Sequence, residues 1–360
     1  LTKEGKCKHV SPSIVQNMIL RKKKQEEFFS EMRKDSVSSE WILVAANRAK
    51  RPHAYQRKRE KPEPISGCPF EGTRINGLDP LVWYPHPESI KKNSLDEWFI
   101  QVITNRYPAV MPHKDKTCAV AGEDGPYERI DGVGYHEIVI TRPHDRSLGE
   151  MSVEEGMLVV RAYRERFATL KKDPCVSYIL IFHNHGREAG ASIGHPHSQL
   201  IALPIIPPDV QRSVRGSKEF YAAHAACIHC RMISWELEDK RRIVYENKDF
   251  LVIAPYASRV SFELRVYPKD HDPHFDLLPE EKLKTAADAL TATLHKLGAA
   301  LDDPAYNFFI HTAPTGNTAE HYHWHMEILP KTSVPAGLEL GSGVDVTMVK
   351  PEDVPGLLAL

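Results

Sequence analysis

Apolar and polar positions along this 360-residue chain alternate in short runs and recur in a few longer stripes, the pattern of strands mixed with helices. Strands are predicted at Glu40-Trp41-Ile42-Leu43-Val44, Trp98 to Ile103 and Tyr135 to Ile140, where apolar residues dominate or alternate. Ser152 ahead of Glu154 and Glu155 marks a helix start, and Leu158, Val159, Tyr163 and Phe167 recur at three and four, so a helix is expected over 152–170. A strand over 176–182 follows. Pro204, Pro207 and Pro208 then interrupt regular structure, and a polar stretch leads to Cys227.

After Cys227 the order begins again. Val252-Ile253-Ala254-Pro255 parallels the earlier strand before Pro108, and Phe262 to Tyr267 parallels Tyr135 to Ile140, each followed by a proline and then a histidine, His144 or His271. Leu283, Ala286, Ala287, Leu290, Leu294 and Leu297 form one stripe of a helix over 280–301, which precedes a strand at 306–310 and a histidine-rich strand at 321–329. His144 and His195 are 51 positions apart, and His271 and His323 are 52 apart. A near-equal interval within the same order of elements points to internal duplication. The chain thus reads as α+β, with two similar halves at 35–212 and 213–360 behind a polar, partly helical and peripheral arm at 1–34. The basic, proline-marked segment 48–64 reads as loop.

Composition narrows the function. With 41% apolar and 26% charged residues the chain has the make-up of an ordinary globular protein, and its length suggests about two domains. Lys plus Arg at 47 against Asp plus Glu at 48 leaves a net charge of -1, so no bulk field exists to hold nucleic acid or an anionic membrane. An anionic ligand must be caught locally. No run approaches the roughly 18 apolar residues of a membrane span, and the first thirty residues are too basic for a signal peptide, so a cytoplasmic location is expected. The six cysteines are too sparse for a disulfide scaffold, and the closest pair is expected to bind metal. The 19 histidines are the unusual feature.

The sharpest motif is Gly190-Ala191-Ser192-Ile193-Gly194-His195-Pro196-His197-Ser198-Gln199. On a strand, His195, His197 and Gln199 share one face. A neutral imidazole can attack phosphorus, while a carboxamide and glycine-freed N–H groups hold phosphoryl oxygens; alternatively the histidines bind metal or lie on the surface. Cys227-Ile228-His229-Cys230 is half a zinc site or a redox pair, and the thioredoxin setting lacks its βαβ context. Zinc needs four ligands, and the repeat supplies His271 and His323. The corresponding first-half set is Cys68, Glu71, His144 and His195, with a carboxylate in place of the second thiolate. His321, His323 and His325 alternate and would share a face; one can complete the metal site, and the others are open to being ligands, partners of a substrate phosphate, or solvated. Arg48 to Pro52 and Asn105 to Ala109 carry no assignment alone.

Together these features resemble the galactose-1-phosphate uridylyltransferase family of the histidine-triad superfamily, including its ADP-glucose phosphorylase-like relatives. The resemblance runs from about Trp41 to Pro351 and rests on Arg48-Ala49-Lys50-Arg51-Pro52, the Cys68 turn, Asn105 with Tyr107-Pro108-Ala109, Asn184-X-Gly186 with the 190–199 block, Cys227/Cys230, Pro268 to His271, and Gly337-Leu338-Glu339-X-Gly341-X-Gly343. It implies two tandem histidine-triad-like halves, each an antiparallel sheet with packed helices. It implies a transferase of carbohydrate metabolism, galactose metabolism included, in which His197 attacks the α-phosphorus of a nucleotide sugar and expels a hexose 1-phosphate. The nucleotidyl-histidine is then resolved by a second hexose 1-phosphate or, as the alternative, by inorganic phosphate acting on an ADP-sugar.

The same resemblance gives Gln199 the transferring phosphoryl group, with Ser192 and Asn184 as further polar contacts. Arg51 and Asn105 fall where the nucleotide is held, and Glu339 where hexose hydroxyls bind. Zn2+ is the implied cofactor, structural at both sets: two ions per chain if Glu71 is a ligand and one if it is not. A homodimer is implied as well. Two departures stand out: Glu71 replaces the usual second cysteine, and Asn184-His185-Gly186 replaces Asn-Gln-Gly, leaving His183 and His185 without a role. A reading of another class is a zinc-stabilised nucleotide-binding scaffold in which the histidines are only ligands.

Overall fold

Alternation of apolar residues along ten strands builds one long antiparallel sheet whose two faces carry different chemistry. The computed structural model describes residues 30–50, 63–115, 117–316 and 319–359; Arg51 and most of the N-terminal arm lie outside them. In chain order the elements are β1 (Glu31–Lys34), β2 (Trp41–Val44), β3 (Val82–Pro85), β4 (Trp98–Thr104), β5 (Ala121–Asp124), β6 (Tyr127–Ile130), β7 (Tyr135–Thr141), α1 (Val153–Leu170), β8 (Tyr178–His185) and β9 (His197–Leu203). There follow α2 (Pro208–His224), α3 (Ile228–Asp239), β10 (Ile243–Glu246), β11 (Phe250–Ile253), β12 (Leu264–Pro268), α4 (Leu283–Leu301), β13 (Tyr306–His311), β14 (His325–Pro330), α5 (Gly337–Ser342), β15 (Val346–Thr347) and α6 (Val354–Leu357).

The sheet order is β10-β11-β12-β14-β13-β8-β9-β7-β4-β3, so each half contributes five strands and the two join where β13 pairs with β8. The fold is α+β, as the sequence predicts. A second sheet, β1-β2-β15, brings Glu31–Lys34 out of the expected polar arm and into a strand against Trp41–Val44. Helices α1 and α4 lie against each other over one face of the long sheet, where Val139, Leu200, Val266, Met326 and Ile328 join their stripes in the main core. Ser152 caps α1 as expected: it accepts the Glu155 N–H at 3.2 Å, and the Glu155 carboxylate accepts the Ser152 N–H at 2.8 Å. The helices cross at Gly156, where a Cβ would stand 2.8 Å from Thr291 Cγ2.

Alternation sends the other side chains of the same strands to the opposite face. Ile103, Ile138 and Ile140 pack there with Phe70, Trp98 and Cys68, and Tyr267 packs with Leu251 and Ile253 under α3. This face holds the histidine clusters.

The segment after Pro204 differs from its reading as a broken polar stretch. Pro208 occupies the first turn of α2, where its missing N–H costs nothing, and the buried residues of that helix are Val210 and Ser217, too few to show as an apolar stripe. The histidine-rich strand also begins later than predicted, at His325, with His321 to Trp324 forming the turn that leads into it. Cys118 and Cys175, which entered neither metal set, are joined by a disulfide with their Cα atoms 4.9 Å apart. Among the described residues no helix is long and apolar enough to cross a membrane.

Candidate active site

The turn between β8 and β9 delivers His195 and His197 to the open face. Gly190 adopts φ +89 within it, a conformation that a side chain would strain. Strand β9 begins at His197, so His195 stands just ahead of the ladder while its side chain stays on the same side: the Phe70 ring lies edge-on to both imidazoles, at 5.9 and 5.0 Å. His197 is 8% exposed, and its Nδ1 lies 2.9 Å from the main-chain oxygen of His195. An Nδ1–H donated to that carbonyl leaves the lone pair on Nε2. Burial pulls the His197 pKa below its ordinary value, which keeps the ring neutral.

Gln199, two residues on, is held by a residue the sequence reading did not single out. His136 on β7 accepts the Ala109 N–H on Nδ1 at 3.0 Å, so its Nε2–H donates to Gln199 Oε1 at 2.8 Å and leaves the Gln199 amide NH2 unengaged by this pair. Asn105 adjoins His136 through its main-chain N–H, which donates to the His136 carbonyl at 2.8 Å, while its Oδ1 accepts the Tyr107 N–H at 2.9 Å. The only sequence signal for His136 was its place on a strand facing β9; nothing in the residue itself announced the contact.

Behind the strand, Ser198 Oγ lies 2.9 Å from His183 Nδ1 and 2.5 Å from the Tyr163 hydroxyl. Burial lowers the His183 pKa well below its usual value, so it too is neutral. His185 pairs with Asp303 at 2.9 Å. His183 and His185 therefore brace β8.

The remaining candidates separate. Asn184 Oδ1 accepts from Asn307 Nδ2 at 2.8 Å, across the junction of the halves. Ser192 is exposed in the turn. The Gly194 N–H donates to Glu63 Oε2 at 3.0 Å, so that backbone donor of the glycine-rich turn is engaged by a side chain. Glu339 accepts the Ala336 N–H at 2.9 Å at the start of α5 and, among the described residues, makes no hydrogen bond or ion pair with the His197 strand.

Both expected metal sets come together. Cys68, Glu71, His144 and His195 place one donor atom each within 4.8 Å of one another, as do Cys227, Cys230, His271 and His323. In the first set Cys68 Sγ lies 3.5 Å from His195 Nδ1, and Glu71 Oε1 lies 2.8 Å from His144 Nδ1 and 3.3 Å from His195 Nδ1. In the second, Cys230 Sγ lies 3.3 Å from His271 Nδ1 and 3.5 Å from His323 Nδ1. Donors about 2.0–2.3 Å from a tetrahedral zinc stand about 3.3–3.8 Å apart, so the second set and the Cys68 and Glu71 contacts of His195 fit the ion in spacing and both sets fit it in donor chemistry, while Glu71 and His144 stand at hydrogen-bond distance.

The outer shells match as well. His195 Nε2 faces the Thr141 carbonyl at 2.6 Å and His323 Nε2 faces that of Pro268 at 3.0 Å, fixing Nδ1 as the inward atom in both. A hydrogen bond from Cys230 pulls the Cys227 thiol pKa down, and the same contact pushes that of Cys230 up, so the pair gives up its first proton readily.

Such a fold, two antiparallel halves joined in one sheet with a His-X-His-X-Gln strand beside a candidate metal-ligand set, is that of a class of nucleotidyltransferases. A family model described as galactose-1-phosphate uridyl transferase, N-terminal domain, matches residues 21–207, and a second, a domain of unknown function (DUF4921), matches residues 133–358. The chain is 34% identical over 332 residues to the ADP-glucose phosphorylase of Arabidopsis thaliana, covering 90% of this chain and 91% of that protein. It is 28% identical over 333 residues to the galactose-1-phosphate uridylyltransferase of Thermotoga maritima, covering 90% and 96%. The crystal structure of an Arabidopsis thaliana ADP-glucose phosphorylase with bound ADP-glucose superposes with a TM-score of 0.76 at 30% identity, over 92% of this chain and 98% of that one. The chain belongs to the galactose-1-phosphate uridylyltransferase family and is a nucleotidyltransferase acting in sugar metabolism.

Proposed function

We propose that this enzyme is an ADP-sugar phosphorylase, moving an adenylyl group from an ADP-hexose to inorganic phosphate through His197. The observation that carries the covalent step is the His197 Nδ1–H held by the His195 carbonyl at 2.9 Å, which directs the Nε2 lone pair outward on a buried, neutral ring. His197 Nε2 forms a bond to the α-phosphorus as the bond from that phosphorus to the hexose 1-phosphate oxygen breaks, and the sugar phosphate leaves. A phosphate oxygen then attacks the same phosphorus, the N–P bond breaks, and ADP departs with the ring neutral again. The Gln199 NH2, presented by His136, donates to the non-bridging phosphoryl oxygens as charge redistributes.

Zinc, when bound by the two sets, fixes the turn carrying His195 and the α3 region. Cys68, Glu71, His144 and His195 would hold the first ion, and Cys227, Cys230, His271 and His323 the second. Because His195 lends its carbonyl to His197, ordering of the first set orients the nucleophile without any ion touching substrate. The phosphorylase reading is favoured over transfer to galactose 1-phosphate by the 34% identity to ADP-glucose phosphorylase, against 28% to the uridylyltransferase. Feeding ADP-glucose with phosphate, and UDP-glucose with galactose 1-phosphate, decides it: the first pair is consumed, and faster consumption of the second overturns the acceptor assignment. Nucleotide sugar labelled at the α-phosphate leaves an acid-labile label on the protein; turnover without label refutes the covalent step.

A further inference from the structure

On the face of the long sheet that carries α1 and α4, the end of α4 and the turn before α1 border a cavity of about 320 Å³ that the proposed transfer does not use. One wall is the turn over 147–150, pressed so closely on α4 that a Cβ at Gly149 would stand 2.9 Å from the main-chain N of His295. The Ser147 N–H and hydroxyl both donate to Glu150 Oε2, at 2.8 and 2.9 Å, which fixes that carboxylate on the wall. Leu294 and Ala299 give the facing wall its apolar part, and Asp302 and Asp303 follow them where α4 ends. Tyr306 lines the cavity from β13. It is 4% exposed, its ring stacks on that of His185 at 4.8 Å, and among the described residues its hydroxyl has no hydrogen-bond partner. A buried hydroxyl left unmet costs free energy unless something in the cavity meets it.

Charge and size define what fits. Glu150, Asp302 and Asp303 line the cavity, no lysine or arginine does, and the C-terminal end of α4 adds the negative pole of its dipole. Asp303 already takes His185 Nε2 at 2.9 Å, but a carboxylate has about four lone-pair sites and one such bond does not fill them. Burial and, after it, the charge of Asp303 push the Tyr306 pKa up, so the hydroxyl stays protonated and its oxygen is an acceptor. The lining therefore favours a cation and repels a phosphate. A bare metal ion is the poorer fit: among the described residues these carboxylates do not bring three donors within 4.8 Å of one another, as the cysteine-bearing sets do. The volume is that of a small-molecule pocket, about 300–1,000 Å³, and far exceeds the needs of an ion.

We propose that this cavity binds an organic polycation, an aliphatic diamine or polyamine with primary ammonium groups. One ammonium donates to the Tyr306 oxygen and the Asp303 carboxylate, a second to Glu150 or Asp302, and the methylenes between them lie along Leu294 and Ala299. Asn307, next to Tyr306, donates to Asn184 Oδ1 at 2.8 Å and to the Ala189 carbonyl at 2.7 Å, so the site lies behind the turn that leads to His197, on the opposite face of the sheet. It is separate from both metal sets and stands whether or not the enzyme proves to be a phosphorylase.

The test is calorimetric titration of the full, zinc-loaded chain with spermidine, and separately with putrescine, in the absence of nucleotide. Wild type should bind spermidine at a single site per chain, with an affinity that falls as salt rises. Magnesium at matched ionic strength should not displace it. Tyr306→Phe keeps the ring on His185 and removes the hydroxyl, so binding should weaken at least about tenfold, the worth of a hydrogen bond to a charged group, with little change in melting temperature. Gly298→Leu fills the cavity instead. Gly298 lines it and a Cβ there would meet nothing within 4 Å, so this variant should fold and bind no spermidine. If it does not fold, Tyr306→Phe decides alone. No saturable binding by wild type, equal affinity in wild type and Tyr306→Phe, or displacement of spermidine by magnesium would overturn the proposal.

Discussion

The ring of His197 takes its orientation from the main chain of His195, Nδ1 to oxygen at 2.9 Å, while the side chain of His195 turns its own Nδ1 to Cys68 at 3.5 Å. One residue thus serves the nucleophile with its backbone and the metal set with its side chain. His197→Ala should abolish both turnover and the acid-labile nucleotidyl label while leaving the melting temperature close to wild type. Label on the alanine variant would place the covalent bond elsewhere.

His136 touches Gln199 and not the reacting atoms, so it is a positioning residue. His136→Ala should lower kcat about tenfold to a hundredfold, a loss of the size seen when the partner of a working group is removed, with little change in KM for phosphate. His136→Gln, which keeps an N–H for Gln199, should recover part of it. An unchanged kcat in the alanine variant would mean that Gln199 needs no such support.

The second metal set lies away from His197, at the α3 end of the sheet. Cys227→Ser should lower the melting temperature by several degrees while kcat per folded molecule changes less than twofold, because a structural zinc puts its binding free energy into folding. A variant that melts normally and is inactive would contradict this. Removing Cys68 should do the reverse, cutting kcat through the displaced carbonyl of His195.

Burial holds His183 neutral, with its pKa well below the ordinary histidine value. The unfolded chain takes up a proton there below about pH 6.5 and the folded chain does not, so stability from this residue is intact above pH 6.5 and lost as pH falls toward the lower folded value. The slope is at most about 1.4 kcal/mol per pH unit per group. Melting temperatures from pH 8 to pH 5 should fall in the acid range, and less steeply for His183→Phe, whose ring keeps the stacking on Phe308. Parallel curves would remove His183 as the cause.

Gly156 sets how closely α1 and α4 approach. A Cβ there would stand 2.8 Å from Thr291 Cγ2, so Gly156→Val should destabilise the fold by about 1–3 kcal/mol, the usual cost of overpacking. Denaturant unfolding of this variant alone, and together with Thr291→Ser to clear space, measures the clash: the second change should restore part of the loss.

Much of this was legible in the chain because period and spacing are local. Apolar runs and alternation gave β4, β7 and β13, the Ser152 cap gave the start of α1, and the near-equal intervals between histidines marked residues that gather into the two cysteine-bearing sets. Helix α2 was not legible, since a helix with so narrow a buried face lacks an apolar stripe. Nor was His136, whose partners Ala109 and Gln199 lie 27 and 63 positions away.

Residue types and their order settled which groups could do chemistry: a His-X-His-X-Gln strand, two ligand sets and a duplicated α+β plan. Only the folded sheet decided which strands became neighbours, and with that how His197 is aimed, what holds Gln199, and how Tyr306 meets His185. Those relations depend on pairing register across long stretches of chain, which hydrophobic burial and loop closure fix together and no local pattern records.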